Sequence, residues 1–139
     1  MDDEWLQRYF DASVSRDGAR VAAFMAADAT YEDVAAGVVY EGPEAIVAFM
    51  AQAFEVSADL QLTFMNGHSS GDRYTFEWEM VGTHTGEGAS GLPATNKPFR
   101  IRGISTGRRD REGNIKEQRD YWDMAAYLSQ LGLLPPPTA

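Results

Sequence analysis

The chain contains no cysteine. That absence removes disulfide frameworks, thiolate metal sites and catalytic thiols together. Positive charge is scarce as well: 12 Lys and Arg stand against 21 Asp and Glu, for a formal net charge of −9. Nucleic-acid binding depends on clustered cations that neutralise phosphate, so no nucleic-acid partner is expected, and an acidic surface suits anionic lipid no better. The two histidines, His68 and His84, fall in separate turns and offer no metal-ligand spacing. No apolar run approaches the roughly 20 residues needed to span a bilayer. The opening Met1-Asp2-Asp3-Glu4 has the opposite sign to a signal peptide's start. The expectation is a cytoplasmic protein with no membrane partner.

What is present is an apolar content of 44% and an aromatic content of 12%, with rings spread from Trp5 to Tyr127. This composition is that of a compact globule, and 139 residues are enough for one sizeable core. One domain over 1–139 is expected, with 132–139 as a loose tail behind Pro135-Pro136-Pro137.

Trp5, Leu6, Tyr9, Phe10 and Val14 recur at helical spacing behind an acidic first turn that suits the helix dipole. Asp17-Gly18 breaks this helix, and Val21, Phe24 and Met25 mark a second, short one ending before Asp28. Thr30 to Asp33 reads as extended. Pro43 at a helix start, followed by Ile46, Phe49, Met50 and Phe54, marks a third helix. The period then changes to two: Leu60, Leu62 and Phe64 form one strand, and Asn66-Gly67 with Gly71-Asp72 bracket a turn. Phe76, Trp78 and Met80 alternate with Glu77 and Glu79, so only one set can face the core: the preferred assignment buries the aromatic set and turns both glutamates outward, and the reverse is the alternative. Gly86 to Pro98 is too long for a tight hairpin and reads as a flap. Phe99 to Arg108 and Ile115 to Trp122 are the last strands, joined by a polar turn at Asp110 to Asn114, and Asp123 to Leu131 is a terminal helix. Helices followed by strands imply an α+β fold in which a curved, antiparallel-rich sheet wraps the N-terminal helices around a concave interior.

Within the last strand, Gln118-Arg119-Asp120-Tyr121-Trp122-Asp123 puts an ionisable group on a face that is otherwise apolar. Such a group must be hydrogen-bonded or used, since stranding a charge costs several kcal/mol. Alternation places Gln118, Asp120 and Trp122 on one face and Arg119 on the other, so the partner of Asp120 must come from another strand.

Residue-level matches add to this. Arg8-Tyr9 followed by Asp28-Ala29-Thr30-Tyr31-Glu32-Asp33 resembles ketosteroid isomerase. That resemblance implies Tyr9 as donor to an enolate oxygen and Asp33 as the proton shuttle, with Val34 in place of the usual proline and Ser105 at about the position of the family's protonated aspartic acid. Gly82-Thr83-His84-Thr85-Gly86, Gly91-Leu92-Pro93-Ala94-Thr95-Asn96-Lys97 and Gln130-Leu131-Gly132 resemble SnoaL-like polyketide cyclases. There Asp120 would be the acid/base of an aldol ring closure and His84 would line the pocket. Asn96, at a position where the family often has glycine, is the commonest substitute at positive φ. The final strand is also similar to limonene epoxide hydrolase, with Asp120 and Tyr31 matched. The arginine and acid of that reaction fall at Glu77 and Glu79, its asparagine at Asp33 and its tryptophan at Gln118.

The chain is thus identified as a SnoaL-like or ketosteroid isomerase-like member of the nuclear transport factor two-like superfamily, which implies a cone-shaped α+β barrel. The function expected is proton transfer next to the carbonyl of a small hydrophobic ligand, polyketide-like or steroid-like, without a cofactor or metal. Asp33 or Asp120 would be the base, Tyr9, His84 or Tyr31 the donor, and Tyr31, His84, Ser105, Gln118 and Trp122 the substrate-binding set. A non-catalytic binding or dimeric interaction module is the alternative, epoxide hydrolysis the third reading, and a homodimer through the convex sheet face is expected.

Overall fold

The computed structural model describes residues 2–87 and 92–135. Helix α1 (Asp2–Ser13) buries Leu6, Tyr9 and Phe10 along one stripe. Asp17 caps the short α2 (Gly18–Ala22), its carboxylate accepting from the amides of Ala19 and Arg20. The second helix does not reach Asp28 as its apolar spacing suggests. Strand β1 (Met25–Asp33) starts at Met25, where Ile115 N–H donates to the Phe24 carbonyl at 2.7 Å and draws the chain into the sheet.

A four-residue turn follows β1, and its return strand β2 (Val38–Glu41) carries no buried position that its sequence could advertise. Pro43 opens α3 (Pro43–Val56), which buries Ile46 completely. Strand β3 (Gln61–Ser70) then runs straight through Asn66-Gly67, which is no turn. The register against β4 (Arg73–Thr83) shifts between Phe64 and Asn66, so Met65 is absorbed as a bulge, and the hairpin closes at Gly71-Asp72. Strands β5 (Pro98–Arg109) and β6 (Ile115–Trp122) complete the sheet, and Asp123 caps α4 (Met124–Gln130).

The six strands lie in the order β2-β1-β6-β5-β4-β3. Every pair is antiparallel except β1 with β6, which is parallel. The curved sheet closes over α1 and α3 as the expected α+β cone. Phe10 packs edge-on against Phe64 and Phe76, and Phe49 of α3 stacks on Tyr40 at 4.4 Å between centroids. On the outer face, Glu79 pairs with Arg100 at 2.6 Å, and Glu32 with Arg119 at 3.1 Å. Such exposed pairs contribute about 0–1 kcal/mol each. Their interest here is positional: Glu77, Glu79 and Arg119 all lie away from the interior, as the alternation predicts. Among the described residues no helix is long and apolar enough to cross a membrane.

Candidate active site

Three rungs of inward-facing residues cross the middle of the sheet. In the first, Asp33, Asp120, Ser105 and Phe76 are register partners from β1 to β4. In the second, Tyr31, Gln118, Gly107 and Tyr74 line up in the same way. The third places Trp122, Gly103 and Trp78 side by side.

The glycines of β5 make the site possible. A Cβ on Gly103 would lie 2.5 Å from Cη2 of Trp78, and one on Gly107 would lie 2.5 Å from Cζ of Tyr74. Both rings therefore fold flat across β5, where any larger residue would hold them off. Trp78 Nε1 reaches Ser105 Oγ at 3.0 Å, and the Tyr74 hydroxyl reaches Gln118 Oε1 at 2.6 Å.

The hydrogen bonds have a direction. Ser105 Oγ accepts from Trp78, which leaves its own proton for Asp120 Oδ1 at 2.6 Å. Gln118 Oε1 accepts from both Tyr9 (2.8 Å) and Tyr74, which turns its amide nitrogen toward Asp120 Oδ1 at 3.1 Å. The Tyr31 hydroxyl donates to Oδ2 of the same carboxylate. Asp120 is thus the end point of three donors, all neutral, and among the described residues no arginine or lysine bonds to it. Burial pushes its carboxyl above the ordinary range, the three donors oppose this, and the neighbouring charge of Asp33 adds to the rise. Burial and the charge of Asp120 keep the Tyr9 and Tyr31 hydroxyls protonated well past the usual phenol range.

Asp33, 6% exposed, accepts from Trp122 Nε1 at 2.8 Å and from the Ala36 amide at 3.3 Å. It therefore holds the β1–β2 turn as well as facing inward.

Beside this network lies a cavity of about 640 Å³ between the sheet, α1, α3 and α4. Tyr9, Asp33 and Asp120 all border it, as do Ser105, Gln118 and Trp122. Its remaining wall is largely apolar, with Phe49, Met50, Phe76, Met80, Tyr127 and Leu128. Two of the expected substrate-binding residues stand elsewhere. Tyr31 lies behind the wall and acts on the site through its bond to Asp120. His84, 2% exposed, is off the cavity altogether: its Nδ1 accepts from the Thr95 amide at 3.1 Å, and its backbone bonds Asn96 and Lys97. It fastens the loop after β4 to the start of β5. Asn96 sits there at φ +57°, the conformation read from its sequence position. The expected flap lies partly outside the described residues, but Leu92 from its second half borders the cavity.

Two members of the network are not read as polar partners from the sequence: Trp78 is assigned to the core, and Tyr74 is not singled out. The signal was available in part, since alternation with Phe76 puts both on the inner face. Their polar role needed the opposing glycines, which only the register reveals.

One consequence is measurable at once. Tyr31→Phe removes a donor that favours the ionised carboxylate, so the pKa of Asp120 is expected to rise further. A carboxyl-carbon NMR titration reads this directly, and an unchanged value would mean that the bond carries no weight.

Comparison with known proteins follows this geometry. The profile of the SnoaL-like domain matches residues 6–118. No curated protein matches. Among solved structures, a hypothetical protein of ketosteroid isomerase-like fold from Catenulispora acidiphila, in complex with trimethylamine, is similar at 24% identity and TM-score 0.77, with 100% of both chains covered. A provisional SnoaL-like polyketide cyclase from a Jannaschia species is similar at 19% identity and TM-score 0.80, covering 97% of this chain and 95% of its own. IdmH, a provisional polyketide cyclase from Streptomyces antibioticus, is similar at 23% and 0.76, covering 94% of this chain and 97% of its own. Identities this low carry the fold and no activity.

Proposed function

We propose, for a chain that belongs to the SnoaL-like domain family, a cofactor-independent proton transfer on a hydrophobic carbonyl compound, polyketide-like or steroid-like, held in the internal cavity. One observation carries this reading. Asp120 is a buried carboxylate on a mostly apolar cavity wall, held by neutral donors and raised above its ordinary pKa. A structural carboxylate is normally neutralised by a cation; one left without it is available to take a proton. A raised pKa also brings a carboxylate nearer the range in which a general base works at neutral pH.

The base removes a proton from the carbon next to the carbonyl, and the electron pair moves to the carbonyl oxygen. That oxygen needs a donor. Tyr9 is already committed to Gln118, so the donor assigned is the second N–H of the Gln118 amide, whose first N–H goes to Asp120 and whose carbonyl end is fixed by two tyrosines. In a ring closure the resulting enolate carbon attacks a second carbonyl, whose π electrons move to its oxygen, and that oxygen takes the abstracted proton back from the base; in an isomerisation the same proton returns at a different carbon. Asp33, next in register and on the same wall, is the second candidate for that return. Epoxide opening has less support, because Glu77 and Glu79, at the positions of its arginine and acid, lie on the outer face.

The test is deuterium exchange at the α-carbons of a panel of ketones, followed by NMR with the parent protein and with Asp33→Asn and Asp120→Asn. Exchange is expected to require an ionised Asp120, and so to rise with pH through its pKa. If no ketone that binds undergoes exchange, the reading fails.

A further inference from the structure

The cavity is charged on one side only. The chain holds 12 Lys and Arg and two His. None of them borders the cavity, whereas Asp33 and Asp120 both do. Gly88-Ala89-Ser90-Gly91, the internal residues outside the described set, carry no cationic group either. The two carboxylates are register partners on β1 and β6, 6% and 9% exposed. Their hydrogen bonds come only from neutral groups: an indole and a backbone amide on Asp33, two hydroxyls and a side-chain amide on Asp120.

Like charges so placed raise each other's cost of ionisation, and here the charge of Asp33 acts on Asp120 in that sense. Among the described residues no cation stands against them to relieve this. A ligand can. Around the carboxylates stand aromatic side chains: Trp122, bonded to Asp33 through its indole; Tyr40, stacked on Phe49; and Trp78. An acidic pair flanked by aromatic rings attracts a weakly hydrated organic cation through Coulomb forces strengthened by burial and through the ring quadrupoles. A neutral hydrocarbon gains from the apolar wall alone, and an anion is repelled.

We infer that the ligand of this cavity carries a cationic nitrogen, a tertiary or quaternary ammonium seated between Asp33 and Asp120 beside Trp122, with its apolar remainder along α3. This goes beyond the proton-transfer reading, because it names the charge of the ligand and asks no chemistry of it. A protein that bound such a cation and exchanged no α-proton would refute the one and support the other.

The experiment compares a pair of ligands matched in shape. (3-Hydroxyphenyl)trimethylammonium and 3-tert-butylphenol differ in replacing a cationic nitrogen by carbon. Titration calorimetry at neutral pH and constant ionic strength is expected to give an affinity at least tenfold higher for the ammonium. Asp33→Asn and Asp120→Asn should each weaken the ammonium by about five- to tenfold and leave the phenol within about twofold. The unchanged phenol affinity shows that the cavity of each variant is intact. An ammonium that binds no more tightly than the phenol to the parent protein overturns the inference. So does one whose affinity survives both substitutions.

Discussion

Asp120→Asn is expected to slow α-proton exchange by about a thousandfold, within the usual range for loss of a general base, without lowering the melting temperature at neutral pH. The two halves have one cause. Burial holds the Asp120 carboxyl above its ordinary value of 3.8, so between that value and the folded pKa the native state keeps a proton that the unfolded chain has lost. The stability tied to this group is therefore fully present below the ordinary value and is lost as pH rises through the folded pKa. At neutral pH the native protein carries a desolvated charge, and asparagine removes it. The hydrogen bonds survive the exchange. The amide oxygen can still accept from Ser105 and Gln118, and the Tyr31 hydroxyl can turn from donor to acceptor opposite the new NH₂. Thermal melts from pH 4 to pH 8 should show a flatter pH dependence in the variant. A fall in melting temperature of several degrees at pH 7 would instead mark Asp120 as a structural anchor.

Gly103→Ala is expected to destabilise the protein by about 2–3 kcal/mol. The new Cβ would overlap the six-membered ring of Trp78, which is pinned by the bond from its Nε1 to Ser105. Moving the indole breaks that bond and frees Ser105 to turn its proton away from Asp120, so activity should fall with stability. Urea unfolding measures the first effect, and a double-mutant cycle with Trp78→Phe isolates its cause. A smaller ring leaves room for the methyl, so the double variant should be less destabilised than the sum of the singles. Additive losses would place the strain elsewhere in the backbone of β5.

How much of this could be read in advance varied with the range of the interaction responsible. The inward set Phe76, Trp78 and Met80 follows from strict alternation, and the outward Glu77 and Glu79 follow with it. Asp120 declared itself because a carboxylate on an apolar strand face has to be accommodated. Asn66-Gly67 misled, because its dipeptide preference for a tight turn is local, whereas the strand continues there through pairing with Thr75 to Glu77. Val38–Glu41 went unseen because a four-residue edge strand with exposed side chains has neither length nor period. His84 was placed at the pocket by resemblance; its actual bonds to Thr95 and its neighbours depend on a loop conformation that spacing does not encode. Trp78 reads as buried and Tyr74 is not singled out; their indole and hydroxyl find acceptors because glycines face them 25 and 33 residues further along, as the register pairs Trp78 with Gly103 and Tyr74 with Gly107.

The parallel pairing of β1 with β6 also governs how the site comes into being. Tyr31 and Asp120, which share a hydrogen bond, are 89 residues apart, and Tyr9 and Gln118 are 109 apart. Closing loops of that length is entropically unfavourable and slow, and contacts of such range form late in folding. The β3–β4–β5 meander can assemble from near neighbours, but it contains neither carboxylate. Asp33 arrives with the first strand and Asp120 with the last, so no partly folded form holds a working half of the site. The candidate site is therefore expected to form only with the whole sheet, and to be lost with it.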